Sequence, residues 1–250
     1  MTNYSAAKAQ TIRGEQDMSA AKELREYTAR SNAIHQEYLG DPELLERYER
    51  FVAWQLDYML PFYEDLRASE DYAAAVDFVV SDLTGIGIYQ RDQDLARVVP
   101  MMCKMLPDKA LRSVATAMQL NTRVLDINLS ICRELYKDVP VDADVSEAAY
   151  CSACRRASRL DECLELVHLT GEVGHNLDHV IHIPMIGLML KAMRTPARLA
   201  GFGVLQRFLE KGYRTFVALE DVDQFLDDIT HRMTEVFTQI FTEPVENLKQ

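Results

Sequence analysis

Apolar residues along this chain recur at spacings of three and four. Runs that alternate apolar with polar are nearly absent, and so are the Asn-Gly and Asp-Gly pairs that close hairpins. The period predicts helices at about 16–38, 42–67 with a kink at Pro61, 70–84, and 92–106 with a kink at Pro100. It continues with helices at about 108–136, 145–169 and 170–194, one opened by Thr195-Pro196, and a last one from Asp221 to near Phe241.

Helix punctuation supports this. Gly40-Asp41-Pro42-Glu43 supplies a terminating glycine, an N-cap carboxylate, a proline at the first helical position and an acid in the first turn. Pro107-Asp108 opens a long helix, and Asp144 with Glu147 reads as a capping box. The fold class is all-α, a multi-helix bundle of about eight to nine helices with short loops. Residues 16–242 read as one helical domain, between a small, polar, frayed segment at 1–15 and a tail at 243–250. The longest connection, Asp138 to Asp144, leaves room for two sub-bundles meeting near 138–146.

Composition narrows the partners. Hydrophobic residues make up 48% of the 250, enough to bury a core. A net charge of −12 opposes duplex nucleic acid, which demands a basic face to displace counterions, and opposes an anionic membrane surface. The longest apolar stretch, Ile183 to Leu190, is too short to span a bilayer, and the first residues lack the apolar core of a signal peptide. Five cysteines, Cys103, Cys132, Cys151, Cys154 and Cys163, all fall in helical segments. The odd number suits buried thiols in a reducing cytoplasm.

Several motifs invite chemistry. Cys151-Ser-Ala-Cys154 has redox spacing, but no strand precedes it and no second ligand pair completes a zinc site, so it reads as core thiols. Glu165, His168, Glu172, His175, His179 and His182 share one helical stripe, with two Glu-x-x-His units a heptad apart, as in di-iron bundles. Leu166, Leu169, Val173, Leu177 and Val180 project to the opposite side, so the stripe is expected to face solvent. Glu172, His175, His179 and His182 remain the alternative metal set; no cofactor is expected. Asp142-Ala-Asp144-Val-Ser146 begins like a calcium loop, but Glu147 stands where the glycine belongs and Ala153 where the bidentate acid belongs. Gly201-Phe-Gly203 lacks the preceding strand of a dinucleotide site and reads as a close approach of helices.

Three blocks carry a family resemblance. They are Trp54-Gln55 with Tyr63–Leu66 and Phe78–Gly85; Gln90–Pro100, continuing to Leu106-Pro107; and Pro196–Tyr213. Over roughly 45–241 they resemble the bacterial FFLEE-motif (FFLEELY) proteins, which implies an all-helical fold and no particular reaction. The chain departs from the name-giving motif, with Ser81 and Asp82 at the paired glutamates and Thr84 at the aromatic.

The second and third blocks each hold a charged cluster beside apolar residues: Arg91, Asp92, Asp94 and Arg97 in one, Gln206, Arg207 and Glu210 in the other. Asp92 is expected to cap its helix, and Arg91 or Arg97 to bridge to a carboxylate on a neighbouring helix. The alternative is a small anion-binding or partner-binding pocket. The expected function is a cytoplasmic, non-enzymatic protein-interaction or adaptor module whose partner is another protein, neither nucleic acid nor membrane. A homo-oligomer stays open. The alternative is a ligand- or metal-binding bundle, possibly an enzyme, with its site between helices.

Overall fold

The computed structural model describes residues 19–83 and 88–244, and among them every regular element is a helix. The tails expected at 1–15 and, from residue 245 onward, at 243–250 lie outside the described residues, as do Thr84 and Gly85. The helices are α1 (Ala20–Leu39), α2 (Pro42–Met59), α3 (Glu64–Ala68), α4 (Ala73–Asp77), α5 (Ile88–Met105), α6 (Asp108–Leu135), α7 (Glu147–Ala157), α8 (Leu160–Ile181), α9 (Ile186–Leu199), α10 (Gly203–Val217) and α11 (Val222–Thr242). A 3-10 turn over Leu60–Tyr63 joins α2 to α3, so Pro61 does break the segment predicted at 42–67. A stretch of π-helix, Phe78–Asp82, follows α4.

Caps explain several boundaries. Asp41 accepts hydrogen bonds from the backbone N–H groups of Glu43 and Leu44, and Asp221 accepts from Gln224, as the sequence anticipates. The cap of α7 is Ser146, which accepts from Ala149, in place of the expected Asp144. Other boundaries move too, and the segment predicted at 170–194 breaks between Ile181 and Ile186. The segment predicted at 145–169 breaks at Ser158, where the backbone is fully extended. The helix then runs without interruption through Thr170 to Ile181. The break sits between two cations, Arg155 and Arg156, in the last turn of α7 and two acids, Asp161 and Glu162, in the first turn of α8, each matching its helix dipole. Pro196 does not open a helix; it lies inside the last turn of α9. An internal proline frees a carbonyl one turn back, and here Ala192 and Pro196 are both exposed, so water can satisfy it. Gly201, with φ of +80°, makes the reversal into α10, a conformation that disfavours a side chain.

The core is threaded by long helices. Ile34, Tyr38, Phe51, Leu125, Leu135, Tyr150, Val236 and Ile240 belong to one cluster, drawn from α1, α2, α6, α7 and α11. Phe78, Phe216, Phe225 and Ile229 centre a second, and Leu24, Val99 and Met118 a third. Leu56, Met59 and Phe62 pack against both of the first two. Val139, Val141 and Val145 of the long connection pack on the first cluster, with α6 and α7 on either side of them in sequence. Where α8 crosses α11, Gly174 lets the helices approach closely: a Cβ there would lie 2.2 Å from a Leu226 methyl, so that side chain would have to shift.

Candidate functional site

The charged residues of the second block form a buried network between α1, α5 and α6. Asp92 is 1% exposed and His35 fully buried. Asp92 Oδ2 accepts from Ser31 Oγ at 3.0 Å, His35 Nε2 at 2.9 Å and Asn121 Nδ2 at 2.7 Å. Its Oδ1 accepts from Arg91 Nε at 2.9 Å. Arg91 also donates to Asn121 Oδ1 at 2.6 Å and to the Asp82 carbonyl at 3.1 Å, with its guanidinium 4.8 Å from the centre of the Phe208 ring. The other ring nitrogen of His35 meets the Tyr38 hydroxyl at 2.6 Å, which donates to it when the imidazole is neutral. Burial pushes the Asp92 carboxyl up. The His35 and Asn121 hydrogen bonds and the Arg91 charge together outweigh it, leaving the group below the usual carboxylate range.

Asp92 therefore does not cap α5. Ile88, one turn earlier, is already helical, and Asp92 is a hub inside α5. Nor, among the described residues, does Arg91 reach a carboxylate on a neighbouring helix: its acid is the next residue in the chain, and its cross-helix partner is the Asn121 amide. Arg97 is 57% exposed at its side chain. It donates to the Ala200 carbonyl at 3.2 Å and covers the Phe202 ring at 4.6 Å. Asp94, fully buried, does the capping, but for another helix: its Oδ2 accepts from the Leu205 N–H in the first turn of α10, at 3.3 Å. Phe202, which precedes α10, has no side chain able to do this.

The third-block residues sit apart from that hub, between α9 and α10. Gln206 donates to the Leu190 carbonyl at 2.7 Å and to Glu210 at 2.9 Å. Glu210 holds Arg194 in a bidentate pair at 2.6–2.8 Å. The Arg194 hydrogen bonds hold the Glu210 carboxyl down at about 2. Arg207 is exposed.

The histidine stripe faces solvent, as its projection predicts. His168 lies 3.7 Å from Glu172, while His179 and His182 lie near Asp178 on their own helix. His175 reaches across to Asp223 of α11 at 3.4 Å, the one carboxylate from another helix within ion-pair distance of the stripe among the described residues. Every one of these histidine side chains is more than half exposed, and Glu172 nearly so. Among the described residues no three His, Cys, Asp or Glu side chains are arranged to hold a metal ion. Cys132, Cys151, Cys154 and Cys163 are buried free thiols, and Cys103 is partly buried.

Sequence reasoning passed over α9. Its inner side meets α10: Gly187 lies beneath Tyr213, the Leu190 carbonyl takes Gln206, Arg194 takes Glu210, and Ala197 is buried. Its outer side is apolar, and among the described residues nothing covers it. Leu188 is 61% exposed, Met189 58% and Met193 48%; Met185, just before the helix, is 68% exposed. At 100° per residue these fall on one stripe with Ala192 and Pro196. Met185 is left-handed, φ 68°, alone among the non-glycine described residues. Ile183 to Leu190 is too short for a bilayer, and the spacing of 185, 188, 189, 192 and 193 marks a face.

Among the described residues no helix is long and apolar enough to cross a membrane. No curated protein and no solved structure matches the chain. The family model that matches, over residues 34–246, is that of a domain of unknown function, DUF8198; the chain belongs to that family.

Proposed function

We propose that this protein works by binding another protein, and that α9 is the face it presents. The observation that carries this is the uncovered stripe of Met185, Leu188, Met189 and Met193 on a helix whose other side is already anchored to α10. Contiguous exposed apolar surface marks an interaction site. Methionine suits the task, because its unbranched, polarisable side chain fits partners of varied shape. Met185 supports it too: a left-handed backbone at a non-glycine residue costs about 1–3 kcal/mol and persists where function retains it.

The polar hub supports the same reading from the other side. Its members are buried and satisfy one another, which suits a lock between helices better than a reactive centre. The likeness to FFLEE-motif proteins belongs to this proposal as well, since its third block, Pro196–Tyr213, builds the α9–α10 hairpin. The buried unpaired thiols suit a cytoplasmic setting.

The experiment is affinity capture from native cells with the full chain and with Leu188→Asp. A charge on an exposed position leaves the fold intact, which circular dichroism checks, while the interface loses a leucine worth about 1.5–3 kcal/mol. Retained proteins should fall by roughly ten- to a hundredfold. Capture unchanged by Leu188→Asp would overturn the assignment of α9.

A further inference from the structure

Lys191 and Arg198 lie a heptad apart on α9, on the same edge of the Met185–Leu188–Met189–Met193 stripe. Both are exposed, and neither has an ion-pair partner among the described residues, whereas Arg194 on the inner side is held by Glu210. Pairing is common elsewhere on this surface: Arg30 with Asp126, Arg123 with Glu165, Arg156 with Asp138 and Arg232 with Asp65. In a chain of net charge −12, this sets two unpaired cations beside an exposed apolar helix face.

We infer that the partner segment is an amphipathic helix whose apolar residues are spaced three and four apart and whose flank carries Asp or Glu a heptad apart, facing Lys191 and Arg198. This rests on the reading of α9 as the binding face. A helix laid along α9 buries its seam on the Met and Leu side chains and brings its flanking positions over the two cations, the arrangement by which flanking charges choose partners in paired helices.

The same charges argue against the other occupants. Residues 186–199 contain three basic residues and no acid, so a second copy packed on α9 would set Lys191 and Arg198 against like charge. An anionic bilayer would meet only these two free basic residues on the face, while repelling a body of net charge −12.

The test uses the full chain and two labelled synthetic amphipathic peptides of about 18 residues with one leucine seam. Glutamates flank the seam in one and lysines in the other, and binding is read by fluorescence anisotropy. The glutamate-flanked peptide should bind at least about tenfold more tightly. Lys191→Glu with Arg198→Glu should reverse the preference, and Leu188→Asp should remove binding of both. Equal affinity, a preference for the lysine-flanked peptide, or no binding of either overturns the charge assignment. In those cases capture by the native chain that Leu188→Asp abolishes would leave α9 standing as a binding face. If the peptides bind but Leu188→Asp changes nothing, the face itself falls. Sedimentation of the wild-type chain with roughly 2:1 phosphatidylcholine–phosphatidylserine vesicles, lost in Leu188→Asp, would replace the helical partner with a lipid surface. A dimer in sedimentation velocity, lost in the same variant, would replace it with a second copy.

Discussion

Arg91 and Arg97 are six residues apart in one helix and carry the same charge, yet they do different work. Arg91 is buried, held by the Asp92 carboxylate, the Asn121 amide and a backbone carbonyl, and roofed by Phe208. Removing it takes the guanidinium away from a buried carboxylate and leaves that group to Ser31, His35 and Asn121. Arg97 is mostly in water, with one carbonyl, one ring and, at 3.9 Å, the Asp94 carboxylate as partners. Arg91→Met should therefore cost about 3–5 kcal/mol in chemical denaturation. Arg97→Met should cost no more than about 1 kcal/mol. Equal losses would mean that the hub around Asp92 does not bear on the bundle. The sequence flagged these residues as a set, because charges set among Leu95, Val98 and Val99 must be either paired or placed at an edge. It could not name Ser31, His35 or Asn121, which meet Asp92 only through tertiary packing 57 and 61 residues upstream and 29 downstream of it.

Helix ends were legible at Asp41 and Asp221, where the capping group sits in the same stretch of chain, although at α7 Ser146 takes the place of Asp144. They were not where it comes from elsewhere. The start of α10 is satisfied by Asp94 on α5, more than a hundred residues away, so no local pattern announces it. This makes Asp94 a fastener between α5 and the hairpin that presents α9. Asp94→Ala should cost about 0.5–2 kcal/mol in thermal or chemical melting, with faster hydrogen exchange in the first turn of α10. Asp94→Asn, which keeps an acceptor, should recover part of the loss. Protection of the Leu205 amide unchanged in Asp94→Ala would show that the contact contributes nothing to the start of α10. The misplaced opening at Pro196 has a similar origin: proline usually begins a helix, but the rule assumes no water to take up the freed carbonyl.

At the scale of the molecule, the all-helical class was legible from period alone, whereas the uncovered face was not, because a stripe of apolar residues reads the same whether a neighbour covers it or not. The buried thiols were legible as thiols and carry a use of their own. Cys132, Cys151 and Cys154 lie in the cluster shared by α6 and α7. Burial pushes Cys151 up to about 11 and Cys132 up to about 12, and raises Cys154 and Cys163 as well. Only a thiolate attacks an alkylating reagent, so the closed fold is chemically silent at neutral pH at these positions. Each label placed there is a tally of how often that part of the bundle comes apart. Iodoacetamide with mass spectrometry should mark Cys103 first, and the other four only at the pace of transient opening, accelerating in mild urea. Prompt labelling of Cys151 in native buffer would contradict this. The protein thus carries four built-in stopwatches, started not by the reagent but by the breathing of its own helices.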